Sequence, residues 1–127
     1  MEIKVTKENT KWYIGTSRQK LSLISRILHL ARKSNKKYVS DRVAYTLILR
    51  IRTLYIIKCL IENKNYSKTK LINIIKGACK ANEAYERYLA VKNSEADKNR
   101  TNVEEAEALL DYSNKLLSEV NGKLKAL

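Results

Sequence analysis

The chain has 127 residues, no proline, three glycines and a formal net charge of +13. Its length fits one domain, residues 1–127, and its 44% hydrophobic and 31% charged residues are typical of a globular rather than a disordered protein. Because sheets need turns that proline and glycine supply, the scarcity of both predicts an all-α fold. No uncharged apolar segment is long enough to span a membrane, and the start MEIKVTKENTK lacks the apolar core of a signal peptide, so we expect a cytoplasmic protein.

The positive charge is concentrated in the first two thirds of the chain. Residues 1–80 carry 19 lysines and arginines against four acids, whereas residues 81–127 carry seven basic and nine acidic residues. No carboxylate lies between Asn9 and Ser40, a stretch that holds Lys11, Arg18, Lys20, Arg26, Arg32, Lys33, Lys36 and Lys37. The predicted partner is RNA or another polyanion, since each phosphate that a cation neutralises releases a counterion. The alternative is a solvated basic surface that only aids solubility.

Residues 1–16 form a predicted irregular arm, and the first predicted helix covers about residues 17–34. At 100° per residue, one side of this helix collects Leu21, Leu23, Ile24, Ile27, Leu28, Leu30 and Ala31. The other side collects Arg18, Ser22, Ser25, Arg26, His29, Arg32 and Lys33. The polar side is therefore a predicted basic stripe, and the loop KSNKKY that follows adds Lys36 and Lys37.

A second helix is predicted over about residues 40–63, with Ser40 and Asp41 as suitable N-cap residues. Its apolar residues run nearly all the way round, which predicts the central helix of a bundle. Two arginines lie in its most apolar run, LILRIRTLYIIKCLI. Arg50 shares a polar strip with Arg42, Thr46 and Thr53, and this strip could reach solvent or a groove.

Arg52 falls about 160° away from Arg50, among apolar positions. Its guanidinium is expected either to reach water along its stem or to pair with a carboxylate of another helix. The available acids are Glu83, Glu86, Glu107 and Asp111. A ligand-contacting role for Arg52 is the alternative.

Two further helices are predicted, over about residues 67–92 and 101–125. Ser67 opens the third helix, and Gly77 could break or kink it. A capping box, Thr101 with Glu104, starts the fourth. Its apolar seam comprises Val103, Ala106, Leu110, Ser113, Leu117, Val120, Leu124 and Leu127, and could pack inside the bundle or against a second copy. The four helices predict an antiparallel, up-and-down four-helix bundle.

Few residues suit catalysis. His29, the single histidine, could donate hydrogen bonds to a phosphate beside Arg26 and Arg32, or it could be merely solvated. Cys59 and Cys79 have neither CxxC spacing nor histidine partners, so we interpret them as buried hydrophobic residues. No P-loop or HExxH motif occurs, and we predict no catalytic residue, no metal site and no cofactor. Tyr38 and Tyr66 lie in loops beside lysines, as suits unpaired bases, and four tyrosines are expected in the core: Tyr45, Tyr55, Tyr85 and Tyr88.

Three segments carry a family resemblance: AYTLILRIRTLYIIKCLIENKNYSKTKLINII, AYERYLAVKN and NVEEAEALLDYSNKLLSEV. Over about residues 40–120 they resemble the HEPN superfamily, and more closely the archaeal helical domains that accompany or follow nucleotidyltransferases. The resemblance implies a dimeric helical bundle acting around RNA or nucleotides, as a ribonuclease or as the helical partner in a toxin–antitoxin pair. The nuclease branch has an arginine, then four to six intervening residues, then a histidine. Here those positions before His29 are Ser22, Leu23 and Ile24, and the last helix has no histidine, which argues against ribonuclease activity.

The leading hypothesis is a noncatalytic HEPN-like bundle, expected as a homodimer, that binds RNA or a nucleotide through a basic face. The predicted contact residues are Arg18, Arg26, His29, Arg32, Lys33, Lys36, Lys37, Arg42 and Arg50. The second hypothesis is a protein-interaction adaptor whose partner is a nucleotidyltransferase subunit. A ribonuclease built on His29 is the third.

Overall fold

The computed structural model of the chain describes residues 9–79, 83–95 and 97–126. It contains the helices α1 (Thr10–Lys33), α2 (Asp41–Ile61), α3 (Lys68–Cys79), α4 (Glu83–Lys92) and α5 (Val103–Lys125). Two short antiparallel strands, β1 (Tyr38–Val39) and β2 (Thr101–Asn102), join the connections before α2 and α5. The fold is all-α, as predicted. The strand β1 lies where a loop was expected, whereas β2 occupies the first two residues of the last predicted helix. Within the described chain, no helix combines the length and the apolar character that crossing a membrane requires.

The helix α2 is central, which confirms the interpretation of its all-round apolar pattern. It packs against each of the other four described helices. Its fully buried residues include Leu47, Ile48, Ile51, Leu54 and Ile57. Ser40 is its N-cap, as predicted, and the Ser40 hydroxyl accepts a hydrogen bond from the backbone N–H of Arg42.

The helix α1 begins at Thr10, so the predicted irregular arm is wrong for its described part. Residues 1–8 lie outside the described chain. Ile14 and Ser17 are buried and extend the spacing of Leu21, Ile24 and Leu28, so the first turns share the core-facing side of the helix. Burial of that side offsets the cost of Gly15 in a helix interior, which is about 1 kcal/mol relative to alanine.

Two helices, α3 and α4, occupy the region predicted as one long helix. Ser67 precedes α3 as predicted, and its hydroxyl accepts a hydrogen bond from the backbone N–H of Lys70. The helix continues through Gly77 to Cys79, and residues 80–82 lie outside the described chain, as does the side chain of Cys79. The helix α3 packs mainly on α5, whereas α4 packs mainly on α2. Five helices are therefore described where four were predicted.

The helix α5 is capped by Asn102, and the predicted capping box at Thr101 is wrong. The Asn102 side-chain oxygen accepts hydrogen bonds from the backbone N–H groups of Glu104 and Glu105, at 2.8 and 3.3 Å. Thr101 instead lies in β2, fully buried, and its hydroxyl donates to Asp41 Oδ1 at 3.2 Å. The Thr101 hydroxyl therefore bonds to a residue of another helix and not to the backbone N–H groups at the start of α5.

The apolar seam of α5 packs inside the described chain. Val103, Ala106, Leu110, Ser113, Leu117 and Val120 are all buried there. Leu124 is partly buried against the same core, and Leu127 lies outside the described residues. The seam is therefore covered by α1, α2 and α3, and it needs no second copy.

Candidate nucleic-acid interface

The exposed side of α1 carries the basic stripe that the sequence predicts. Lys11, Arg18, Arg26, His29 and Lys33 are all exposed, and their spacing of seven, eight, three and four residues keeps them on one side of the helix. From the first to the last of these residues the helix rises about 33 Å at 1.5 Å per residue. The core-facing residues of α1 lie on the opposite side, so the bundle holds the stripe outward on a rigid element.

Most of the predicted contact residues carry unneutralised charge. Five of them are exposed cations that form no ion pair with any described residue: Arg18, Arg26, Lys33, Lys36 and Lys37. The exposed His29 lies among them. Lys11 and Lys20 are exposed on the same helix and also form no ion pair within the described part of the chain. Because no described carboxylate neutralises these solvated cations, they produce a positive electrostatic potential that attracts a polyanion.

Arg32 is different, because Glu107 of α5 holds it. The Arg32 Nε lies 3.1 and 3.0 Å from the two carboxylate oxygens, and Nη2 also donates to Oε1. The hydrogen bond to Arg32 lowers the pKa of Glu107, and the same bond raises the pKa of Arg32. The guanidinium is exposed, but its Nε and Nη2 donors already bind the Glu107 carboxylate.

The connection from α1 to β1 continues the basic surface into a cavity of about 510 Å³. Arg32, Lys36 and Lys37 line it together with Tyr38 and the start of α5, where Glu104 contributes one carboxylate. The first amides of α5 have partners already, because Val103 N–H donates to the Lys37 carbonyl at 2.9 Å and Asn102 caps the next two. Lysine side chains, rather than free helix amides, are therefore the groups that this cavity offers to a phosphate.

The predicted strip of Arg42 and Arg50 does not form one exposed surface. Arg42 is exposed, and its Nε lies 3.7 Å from Asp97 Oδ2, which also accepts the Ser40 hydroxyl at 2.9 Å. Arg50 is only 8% exposed, and its Nε has no hydrogen-bond partner among the described residues. Burial lowers the pKa of Arg50, while the neighbouring Tyr13 and Tyr45 oppose that shift. The strip reaches solvent at Arg42, but packing by α1 covers it at Arg50.

Arg52 has none of the expected carboxylate partners in the described chain. It lies partly buried beside Tyr88 of α4, and its Nε has no hydrogen-bond partner there. Burial raises the pKa of Tyr88, and the nearby Arg52 partly opposes that rise. The expected ion pair of Arg52 is therefore absent from the described chain.

An exposed apolar ridge runs along α1 beside the basic stripe, at positions where the helical pattern predicts burial. Leu23 and Leu30, expected in the core, are 52% and 61% exposed, and Trp12 on the same side of the helix is 64% exposed. The predicted apolar side spans about half the helix circumference, which is wider than a packed stripe of about 100°. The extra width already indicated that some of these apolar residues would remain exposed. Tyr38, at 51% exposed, adds an accessible aromatic ring beyond the other end of α1.

The histidine, cysteine and acidic side chains of the described residues do not form a cluster that suits catalysis. Among the described residues, no three histidine, cysteine or acidic side chains lie close enough to share a metal ion. Cys59 is buried, as predicted, in the main core. His29 stands among exposed cations on α1.

Comparison with protein-family models, with curated proteins and with solved structures gives no match for this chain. The resemblance to the HEPN superfamily therefore stays a prediction.

Proposed function

We propose that this protein binds single-stranded RNA, without catalysis, through the basic side of α1 and the lysines that follow it. The observation that supports the proposal is the row of exposed cations on α1 that have no carboxylate partner among the described residues. The contact residues are Lys11, Arg18, Arg26, His29, Lys33, Lys36 and Lys37. Arg42 of α2 is 73% exposed and adds a contact through the part of its guanidinium that faces solvent, although its Nε lies 3.7 Å from Asp97. Arg32 contributes only when Glu107 releases it, and the buried Arg50 is not a contact residue.

Exposed aromatic rings favour an unpaired strand over a duplex. Trp12 and Tyr38 stand near the two ends of the basic stripe, and both expose about half of their surface or more. Bases of single strands stack on such rings, whereas bases inside a duplex are not available for stacking. The cations neutralise the backbone, which makes the binding tolerant of sequence and sensitive to salt.

Binding to a labelled single-stranded RNA across a salt series tests this function. The logarithm of the affinity should fall by about 0.7 per phosphate contacted for each unit of log salt concentration. The triple variant Arg18→Ala, Arg26→Ala, Lys33→Ala should weaken binding and reduce that slope by about two units. A control triple on other surfaces, Lys76→Ala, Lys115→Ala, Lys125→Ala, removes the same charge and should leave the slope unchanged. Equal effects of the two triples would contradict a localised site.

A protein-interaction adaptor is the second candidate, and the apolar ridge of Trp12, Leu23 and Leu30 favours it. An acidic partner such as a nucleotidyltransferase subunit could bury the ridge and pair with the adjoining cations. Capture of partners from native extract, with nuclease treatment of the eluate, separates the two candidates. Loss of the captured material on nuclease treatment supports RNA, whereas a retained acidic protein supports the adaptor.

Catalysis is not part of the proposal. The arginine expected ahead of His29 in the nuclease branch is absent from the sequence, and His29→Ala should leave unchanged any RNA cleavage that is observed. The HEPN-like, up-and-down bundle, the homodimer and the cytoplasmic location stay predictions. Gel filtration with light scattering measures the oligomeric state directly.

A further inference from the structure

A second cavity lined by cations lies between α2, α3 and α4, away from the basic side of α1. Its volume is about 160 Å³. The polar lining consists of Arg52, Lys68 and Lys92 with the rings of Tyr66, Tyr85 and Tyr88, over an aliphatic floor that includes Leu71 and Ile75. The proposed RNA contacts do not involve any of these side chains.

The charge of this cavity has one sign. None of its lining residues is acidic, and none of its three cations forms an ion pair with any described residue. Arg52 is the least exposed of the three, and its Nε is buried without a hydrogen-bond partner among the described residues. A buried guanidinium N–H without an acceptor suits an anionic ligand that would supply one.

The whole cavity has about the volume of a single ring, and part of its wall is apolar. A closed cavity of about 150 Å³ accommodates one benzene molecule. The rings of Tyr85 and Tyr88 stack with their centroids 5.8 Å apart, and Tyr45 extends the stack at 5.5 Å from Tyr88. A flat ring can pack between this tyrosine wall and the leucine and isoleucine floor.

An adjoining cavity of about 550 Å³ shares Arg52, Tyr88 and Lys92 with the first. It holds two acids, but each lies beside another arginine: Asp97 is 3.7 Å from Arg42, and Glu95 is 3.9 Å from Arg100. The shared Arg52 and Lys92 therefore lie at the boundary of the two cavities. An anionic group placed there is accessible from solvent.

We propose that this cavity binds a small phosphate monoester carried on a single flat ring. The ring packs against Tyr85 and Tyr88, and the phosphate lies toward Arg52 and Lys92 with Lys68 contributing charge. A phosphate dianion fits better than a carboxylate, because it neutralises more of the three positive charges and presents three acceptor oxygens. The inference concerns a site separate from α1, so it does not depend on RNA binding.

Titration calorimetry with phenyl phosphate tests the proposal on the full chain. Phenyl phosphate should bind more tightly than inorganic phosphate, which lacks the ring, and than phenol, which lacks the charge. A nucleoside monophosphate tests the source of the ring: tighter binding than phenyl phosphate identifies a nucleotide, and weaker binding identifies a smaller ring phosphate. No binding of phenyl phosphate at millimolar concentration, or binding equal to that of inorganic phosphate, would overturn the proposal.

Matched variants locate the binding. Arg52→Met keeps an unbranched apolar stem and should weaken phenyl phosphate binding by about tenfold or more. Lys92→Met, at an exposed position, gives the same test if Arg52→Met does not fold. Lys115→Met, on α5, is the control and should bind as the wild type does. Unchanged affinity in both Arg52→Met and Lys92→Met would also overturn the proposal. The RNA-binding triple variant of α1 should retain the phenyl phosphate site, which separates failure of one function from failure of the other.

Discussion

The buried Asp41 forms an ion pair with the partly exposed Arg100, which ties the start of α2 to the segment before β2. The Asp41 carboxylate is 1% exposed, and its Oδ2 lies 3.0 Å from Arg100 Nε and 2.9 Å from Nη2. Its Oδ1 accepts the backbone N–H of Arg100 and the hydroxyl of Thr101, each at 3.2 Å. Together with β1 and β2, this network holds the connections before α2 and α5 side by side, next to the lysines of the proposed RNA surface.

Asp41→Asn should destabilise the fold by about 2 kcal/mol, because it weakens the hydrogen bonds and the ion pair of a buried carboxylate. The Arg100 guanidinium that remains is one third exposed and lies 3.9 Å from Glu95, so water and that carboxylate still solvate part of its charge. Urea unfolding followed by circular dichroism measures the change. Asp111→Asn, at an exposed position of α5, should change the free energy of unfolding by no more than about 0.5 kcal/mol. Similar small effects of the two substitutions would show that the Asp41 network contributes little.

Two leucines of α1 test which side of the helix faces the core. Leu21 is 2% exposed and Leu23 is 52% exposed. Leu21→Ala should cost about 3 kcal/mol of unfolding free energy through lost burial and a residual cavity. Leu23→Ala should cost less than about 1 kcal/mol. A larger loss for Leu23→Ala would mean that α1 is rotated relative to the structure described.

Glu105 predicts a pH dependence of stability. Burial in the interface with α4 raises the pKa of its carboxyl above 4.5, and the nearby Glu83 adds to that rise. The folded state therefore binds this proton more tightly than the unfolded state, so stability should fall as pH rises from the unfolded pKa through the raised folded pKa.

Glu105→Gln should remove that dependence and stabilise the protein at neutral pH. Urea midpoints measured from about pH 4 to pH 8 should be flatter for this variant than for the wild type. The Asp111→Asn variant is again the control and should keep the wild-type profile. An unchanged slope in Glu105→Gln would assign the pH dependence to other groups.

Release of Arg32 should strengthen RNA binding if the proposed function is right. Glu107→Gln removes the negative partner and leaves the guanidinium fork free for a phosphate. The salt dependence should become steeper by about 0.7, the contribution of one further phosphate contact. Glu119→Gln, which removes the same charge from the pair with Lys58, should have no such effect. An equal gain in both variants would indicate a response to net charge alone.

The sequence by itself determined the helical class, the central place of α2 and the side-by-side spacing of the cations on α1. These properties depend on composition and on the periodicity within one element, both of which can be read from neighbouring residues. The relative positions of Arg18, Arg26 and Lys33 follow from helix geometry alone. Their exposure on one side was correctly predicted for that reason.

Only the tertiary structure decided which of these surfaces stays open. Glu107 contacts Arg32 although it lies 75 residues further along the chain, and Thr101 contacts Asp41 across a sequence separation of 60 residues. Packing also leaves Leu23 in solvent and buries Arg50. Periodicity describes one helix at a time, whereas the exposure and pairing of a side chain depend on how far its neighbouring helices extend over it.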